Sequence, residues 1–105
     1  MFSIRHSDGS GEEDPPLEGL SALYDELLTA DQEHGDVSVV IDDTGWSISA
    51  HRDGRLVFEN VDTGGERHMI PVPKEQVLAL WLKLIAGDFA ALEAEPWKPG
   101  YVEKG

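Results

Sequence analysis

The sequence contains no cysteine among its 105 residues. This absence excludes thiol catalysis, a disulfide framework and cysteine-ligated zinc, and it is consistent with a reducing compartment. The opening residues, MFSIRHSDGSG, lack the apolar segment of a signal peptide. The longest apolar run, residues 77–86, is interrupted by Lys83 and is too short to span a bilayer. We therefore predict a soluble cytoplasmic protein without a membrane partner.

Basic residues are nearly missing from the first half of the chain. Residues 1–50 hold twelve acidic residues and one basic residue, a net charge of −11, whereas residues 51–105 carry a net charge of −2. A surface of this sign repels phosphate groups, which argues against binding of DNA, RNA or anionic lipid. It would instead speed the encounter with a basic protein. An acidic surface also keeps a protein soluble without serving any partner, and that simpler explanation stays open.

The length of the chain predicts one α+β domain, over residues 15–105, with an extended C-terminal tail. A flexible acidic arm, residues 1–14, is expected to precede it. Phe2 and Ile4 alternate as in a short edge strand, but the polar residues after Arg5 favour disorder.

Alternating polarity and turn residues predict a four-stranded antiparallel meander with an N-terminal helix and a C-terminal helix pair packed on one face. Runs of branched and aromatic residues are separated by Asp-Thr-Gly, Asp-Gly and Asp-Thr-Gly-Gly, which are typical of hairpin turns. Leucines at helical spacing, beginning with Leu17, form an apolar stripe after Asp14-Pro15-Pro16, which has the composition of a helix start with Asp14 as its cap. The predicted strands are residues 37–42, 46–51, 55–61 and 66–72, and the predicted helices are residues 16–33, 73–86 and 89–94.

The triplet Asp-Thr-Gly occurs twice, at residues 43–45 and 62–64, and resembles the catalytic loop of aspartic proteases. Two such loops would have to meet so that their carboxylates share one proton. The triplets start only nineteen residues apart, a spacing that cannot hold two lobes, and Asp, Thr and Gly are what hairpin loops favour. We therefore interpret both triplets as turns, with neither Asp43 nor Asp62 catalytic.

No other motif predicts a catalytic, metal or cofactor site. The four histidines have no helical zinc spacing, and His51 and His68 fall on predicted strands that are not adjacent, which favours exposed sheet histidines. The glycines form neither a dinucleotide fingerprint nor a phosphate loop. We expect no enzyme and no cofactor, although an enzyme acting on a cationic substrate stays open if the fold forms a concave acidic pocket.

The remaining hypothesis is a binding protein. The best interface candidates are two aromatic residues of the tail and four acidic residues of the first helix: Trp97, Tyr101, Asp25, Glu26, Asp31 and Glu33. Rigid aromatic side chains dominate interface hot spots, but Trp97 could equally hold the tail onto the domain. The helix over residues 73–86 has a wider apolar stripe than packing on a sheet requires, so a homodimer through this helix stays open.

An acidic amphipathic helix, a meander, the segment MIPVPKEQVLALWLKLIAGDF and a tryptophan-containing tail together resemble small bacterial immunity proteins. The resemblance rests on size, acidity and the order of elements, and no diagnostic motif supports it. It implies a non-enzymatic inhibitor of a basic toxin. The alternative is a homo-oligomeric structural or regulatory domain.

Overall fold

A computed structural model of the protein describes residues 2–7, 10–28, 36–52, 54–60, 62–70 and 72–100. These residues form one seven-stranded antiparallel sheet with the order β2-β1-β3-β4-β5-β6-β7. The strands are β1 (Phe2–Arg5), β2 (Gly11–Glu13), β3 (Asp36–Ile41), β4 (Trp46–His51), β5 (Leu56–Asn60), β6 (Gly64–Met69) and β7 (Lys98–Pro99). The helices are α1 (Gly19–Asp25), which continues as a 3₁₀ turn (Glu26–Leu28), α2 (Lys74–Ala86) and α3 (Phe89–Glu93).

The predicted meander is confirmed as β3 to β6, but the predicted count of four strands is wrong, because the sheet has seven. Two additional strands, β1 and β2, come from residues 1–14, the expected flexible arm, and β7 comes from the tail. Ile4 lies opposite Val39 of β3 and is buried, so the arm gains apolar burial that its own composition does not reveal. β2 and β7 are too short to show a period in the sequence.

One face of the sheet forms the core. Ile4, Val39, Ile48 and Phe58 lie side by side across four strands, and all are buried in one cluster with leucines of α1 and α2. Trp81 of α2 is fully buried, and its Nε1 donates a hydrogen bond to the main-chain oxygen of Ile48 at 2.9 Å. The cluster joins this face of the sheet to leucines of all three helices, so the helices pack on one face as predicted.

The first helix differs from the prediction at its start. Asp14 is not a helix cap, since its carboxylate accepts a hydrogen bond from the main-chain nitrogen of Phe2 at 3.0 Å and so anchors β1. The helix begins at Gly19, and Leu17, which was expected in its buried stripe, is 49% exposed. Residues 29–35, the remainder of the predicted helix, lie outside the described residues.

The two C-terminal helices agree with their predictions to within one residue. Gly87 ends α2 in the left-handed conformation with φ of 77°, and the Asp88 carboxylate accepts a hydrogen bond from the main-chain nitrogen of Ala91 in α3. Among the described residues no helix has the length and apolar character needed to cross a membrane.

Candidate interaction surface

Trp97 packs against the core of the domain. Its ring lies 5.2 Å from that of Phe58, centroid to centroid, and its Nε1 donates a 2.7 Å hydrogen bond to the main-chain oxygen of Leu92. The Arg67 guanidinium lies on the Phe58 ring and forms a bidentate ion pair with Glu93 of α3 at 2.6 and 2.8 Å. This geometry fits a side chain that fastens the tail, and the interface role of Trp97 stays a prediction.

Two of the four acidic interface candidates have partners within the protein, and the other two lie outside the described residues. Asp25 forms an ion pair with Lys74 of α2 at 2.7 Å, and Glu26 forms one with His6. Tyr101, Asp31 and Glu33 lie outside the described residues. Because Asp25 and Glu26 are already paired with cations, their charges are less able to steer a partner than unpaired carboxylates would be.

His6 lies between two carboxylates from different elements. Its Nδ1 is 2.6 Å from Oε2 of Glu26 in the 3₁₀ turn, and its Nε2 is 2.7 Å from Oε1 of Glu12 in β2. The other Glu26 oxygen accepts a hydrogen bond from the main-chain nitrogen of Ser7 at 3.0 Å. We call this arrangement the His6 clasp, and it fastens the β1–β2 hairpin to the end of the first helix.

The His6 clasp favours charged side chains. Hydrogen bonds first to Glu26 and then to Glu12 raise the pKa of His6 above its ordinary 6.5, because both stabilise the imidazolium. Partial burial acts to raise the pKa of Glu26, but the hydrogen bonds from His6 and Ser7 outweigh it and lower that pKa below its ordinary 4.5. The ion pair therefore persists over the interval between these two values.

The edge of the sheet at β2 is acidic and open. All three β2 residues are exposed, and no described strand pairs with the outer side of β2. A shallow depression of about 350 Å³ lies beside it, lined in part by Ser3, Arg5, Glu12, Glu13 and Asp42. We call these five residues the acidic edge. Because Glu12 is paired with His6, the carboxylates of Glu13 and Asp42 and the guanidinium of Arg5 leave it a net charge of −1.

Sheet pairing assembles the acidic edge from distant parts of the chain. Ser3 lies opposite Glu13 of β2 on one side and Val40 of β3 on the other. Its hydroxyl donates a 2.6 Å hydrogen bond to Oδ1 of Asp42, immediately after β3. The acidic edge is therefore a shallow concave surface lined partly by carboxylates, and the enzyme alternative stays a prediction.

Both Asp-Thr-Gly triplets form turns at the same end of the sheet. Asn60 joins them: its amide nitrogen donates to the main-chain oxygen of Thr44 at 2.9 Å. Its side-chain oxygen accepts from the main-chain nitrogens of Asp62 and Thr63 at 2.9 and 3.1 Å. Gly45 adopts a φ of 80°, which only glycine tolerates easily. These contacts give the triplets a structural role in connecting two hairpins.

The two sheet histidines lie on β4 and β6 with β5 between them, as predicted, but the expected exposure of His68 is wrong. His68 is fully buried, and its Nδ1 donates to the main-chain oxygen of Gly100 at 2.9 Å, which holds the tail. His51 contacts Arg55 through Nδ1 at 3.2 Å. Within the described ranges, no three histidine or carboxylate side chains are grouped so that they could hold a metal ion.

The outer surface of α2 carries one exposed leucine. Leu82 is 45% exposed, while Leu78 and Ile85 are half-buried and pack against the core cluster. The wide apolar stripe of this helix therefore serves the core for the most part.

Comparison of the chain with family models, with curated proteins and with solved structures finds no match in any of the three. The resemblance to immunity proteins therefore continues to rest on size, acidity and the order of elements.

Sequence reasoning missed the acidic edge and the His6 clasp. His6 and Glu26 are twenty residues apart. The sequence between Arg5 and Gly11 contains Asp8-Gly9, a dipeptide typical of hairpin turns, but the strand that follows, Gly-Glu-Glu, has no apolar residue to mark it. A weak signal was present in the alternation of Phe2 with Ile4, which matches a strand with one buried face.

Proposed function

We propose that this protein is a non-enzymatic interaction domain that binds a basic protein partner, in the manner of an immunity-type inhibitor of a basic bacterial toxin. The observation that carries this proposal is the acidic edge: it combines unbalanced negative charge, an open strand and a concave surface within one small area. Complementary charge of this kind raises association rates and excludes acidic and nucleic-acid partners. A cytoplasmic location is part of the proposal.

Support for this site comes from the distribution of charge in the fold. The acidic first half of the chain supplies β1, β2, α1, β3 and the β3–β4 turn, so among the described residues three neighbouring strands and the first helix carry most of the excess negative charge. Glu13 and Asp42 are exposed there, and neither pairs with a cation among the described residues. A basic surface could neutralise both without breaking an existing ion pair.

The test begins with isolation of a cell-extract protein that binds at low salt and is released at high salt, followed by rate measurements on the purified pair. The variant Glu13→Gln/Asp42→Asn should slow association several-fold at low salt and leave dissociation nearly unchanged. The matched control, Glu18→Gln/Glu75→Gln, removes two exposed charges elsewhere and should have a smaller effect.

Equal effects of the two double variants would show that net charge alone acts and that the acidic edge is not the site. A partner of acidic or neutral surface would contradict the proposal as a whole. The immunity-type part requires in addition that one equivalent of this protein abolishes the activity of the partner.

The exposed Leu82 favours a second candidate, a homo-oligomeric structural or regulatory domain with α2 as the seam. Light scattering over a range of concentrations tests it. A dimer that Leu82→Glu converts to a folded monomer would support this candidate, whereas a monomer at all concentrations would exclude it.

A further inference from the structure

The β1–β2 hairpin has an alternating hydrogen-bond pattern that determines where the β2 backbone points. The main-chain nitrogen of Asp14 donates to the oxygen of Phe2 at 2.8 Å, and that of His6 donates to the oxygen of Ser10 at 2.7 Å. Bonded pairs alternate with non-bonded pairs in an antiparallel ladder, so Glu12 is bonded to Ile4 between them.

The two remaining β2 residues face the other way. Gly11 and Glu13 occupy the non-bonded positions opposite Arg5 and Ser3, so their main-chain N–H and C=O groups point away from β1. Among the described residues, no hydrogen bond uses these groups. An outward row of two donors and two acceptors is the template on which an added strand pairs.

From this geometry we infer that the acidic edge binds an extended basic segment of the partner as an eighth strand, paired with Gly11 and Glu13. The inference rests on the proposed function and deepens it by specifying the mode of binding. Added strands gain affinity from main-chain hydrogen bonds and specificity from alternate side chains. Here, the alternate side chains on the Glu13 face would extend beside the depression that also contains Asp42.

Charge distinguishes this occupant from a second copy of the chain. Open edges commonly pair with one another, and short charged strands oppose that pairing. Two copies of β2 would bring glutamates together at an edge that already has a net charge of −1, on chains that each carry −13. A lysine- or arginine-rich strand has the opposite effect, because its basic side chains on the Glu13 face would lie beside a carboxylate that has no cation partner among the described residues.

The His6 clasp supports the edge in the position that binding requires. Glu12 is tied to His6, which in turn is tied to Glu26, so β2 is held to the body of the domain from the helix side. Its outward backbone groups are thus presented on a fixed strand, which reduces the ordering cost of adding another.

The test uses a seven-residue peptide of alternating lysine and threonine and its lysine-to-glutamate counterpart. A third peptide keeps the lysines but carries N-methyl groups on its three central residues, which removes backbone donors in either register without changing charge. The lysine peptide should bind in a salt-sensitive manner, and the N-methylated one should bind at least about tenfold more weakly because several main-chain hydrogen bonds are lost.

Amide hydrogen exchange locates the binding strand. The lysine peptide should slow exchange at Gly11 and Glu13 and leave Glu12, already bonded to Ile4, nearly unchanged. Glu13→Pro removes one outward N–H and should abolish peptide binding, whereas Glu13→Gln keeps the N–H and should weaken it only a few-fold. A melting curve of each variant confirms that it is folded, and the N-methyl comparison needs no variant at all.

The outcomes separate this inference from the proposed function. Salt-sensitive binding that ignores N-methylation, or that leaves exchange at Gly11 and Glu13 unchanged, would overturn strand addition while the acidic edge remains a charged binding site. If the wild type is a dimer and Glu13→Pro is a monomer, the strand that pairs with β2 belongs to a second copy of this chain and not to a basic partner. Absence of binding by the lysine peptide at low salt would overturn the inference, and failure to isolate any salt-released basic partner would overturn the proposed function.

Discussion

Replacement of Trp97 by alanine tests whether this ring holds the tail on the domain or belongs to an interface with a partner. Complete removal of a buried tryptophan costs about 3–5 kcal/mol, and Trp97 is half-buried, so we take roughly 2 kcal/mol for lost packing. The ring contact with Phe58 and the hydrogen bond to the oxygen of Leu92 add about 1 kcal/mol together once solvent compensation is allowed for. The expected loss in free energy of unfolding is therefore about 3 kcal/mol.

Urea unfolding followed by circular dichroism measures this loss, and a thermal scan should show the melting temperature lowered by roughly 10–20 °C for a domain of this size. Trp97→Phe is the matched control, because it keeps an aromatic ring beside Phe58 and removes the Nε1 donor together with a smaller part of the packing area. It should cost about 1 kcal/mol.

An unchanged free energy of unfolding in Trp97→Ala would refute this reasoning and return Trp97 to the interface candidates. A loss as large in Trp97→Phe as in Trp97→Ala would show that the hydrogen bond to Leu92, rather than the ring contact, fastens the tail.

Three further perturbations test the contacts around the candidate surface. The contribution of the His6 clasp, measured as the difference in unfolding free energy between the wild type and His6→Gln, should be about 1 kcal/mol and largest between pH 4.5 and 6.5. It should be lost as pH rises through the raised pKa of His6 and as pH falls through the lowered pKa of Glu26, and a difference that is flat with pH would contradict the clasp. Asn60→Ala removes three hydrogen bonds between two turns and should cost about 2–3 kcal/mol in urea unfolding, whereas Asn60→Asp, which keeps the acceptor, should cost less. Gly45→Val should lower stability by at least about 1 kcal/mol because φ is 80°, while Gly19→Ala, in open space at the start of α1, should not; equal effects would argue against backbone strain.

Local patterns predicted the elements whose cause is local. The β3–β6 meander follows from alternation with a period of two and from glycines such as Gly45 and Gly54, whose positive φ permits the turns. α2 follows from its continuous apolar stripe and the stop at Gly87. For the same reason, the two Asp-Thr-Gly triplets could be interpreted as turns before their surroundings were known.

Local patterns could not predict contacts between residues that are far apart in the sequence. β2 has three residues and becomes a strand because Ile4, its neighbour in β1, is buried against β3. Leu17 has the spacing of a helical core position and is exposed, because the helix begins at Gly19, three residues later than its proline signal indicates. Composition alone could not distinguish these outcomes.

The sequence by itself determined the sign and asymmetry of the charge, the absence of thiol chemistry and the antiparallel meander, since each depends on composition or on neighbours within a few residues. Tertiary structure alone decided which acidic groups are left unbalanced. Asp25 and Glu26 are paired with Lys74 and His6, while Glu13 and Asp42 line one depression beside the open edge and have no cation partner among the described residues. The physical reason is that electrostatic interactions depend on distance in space, and strand pairing sets those distances among residues that the chain holds far apart.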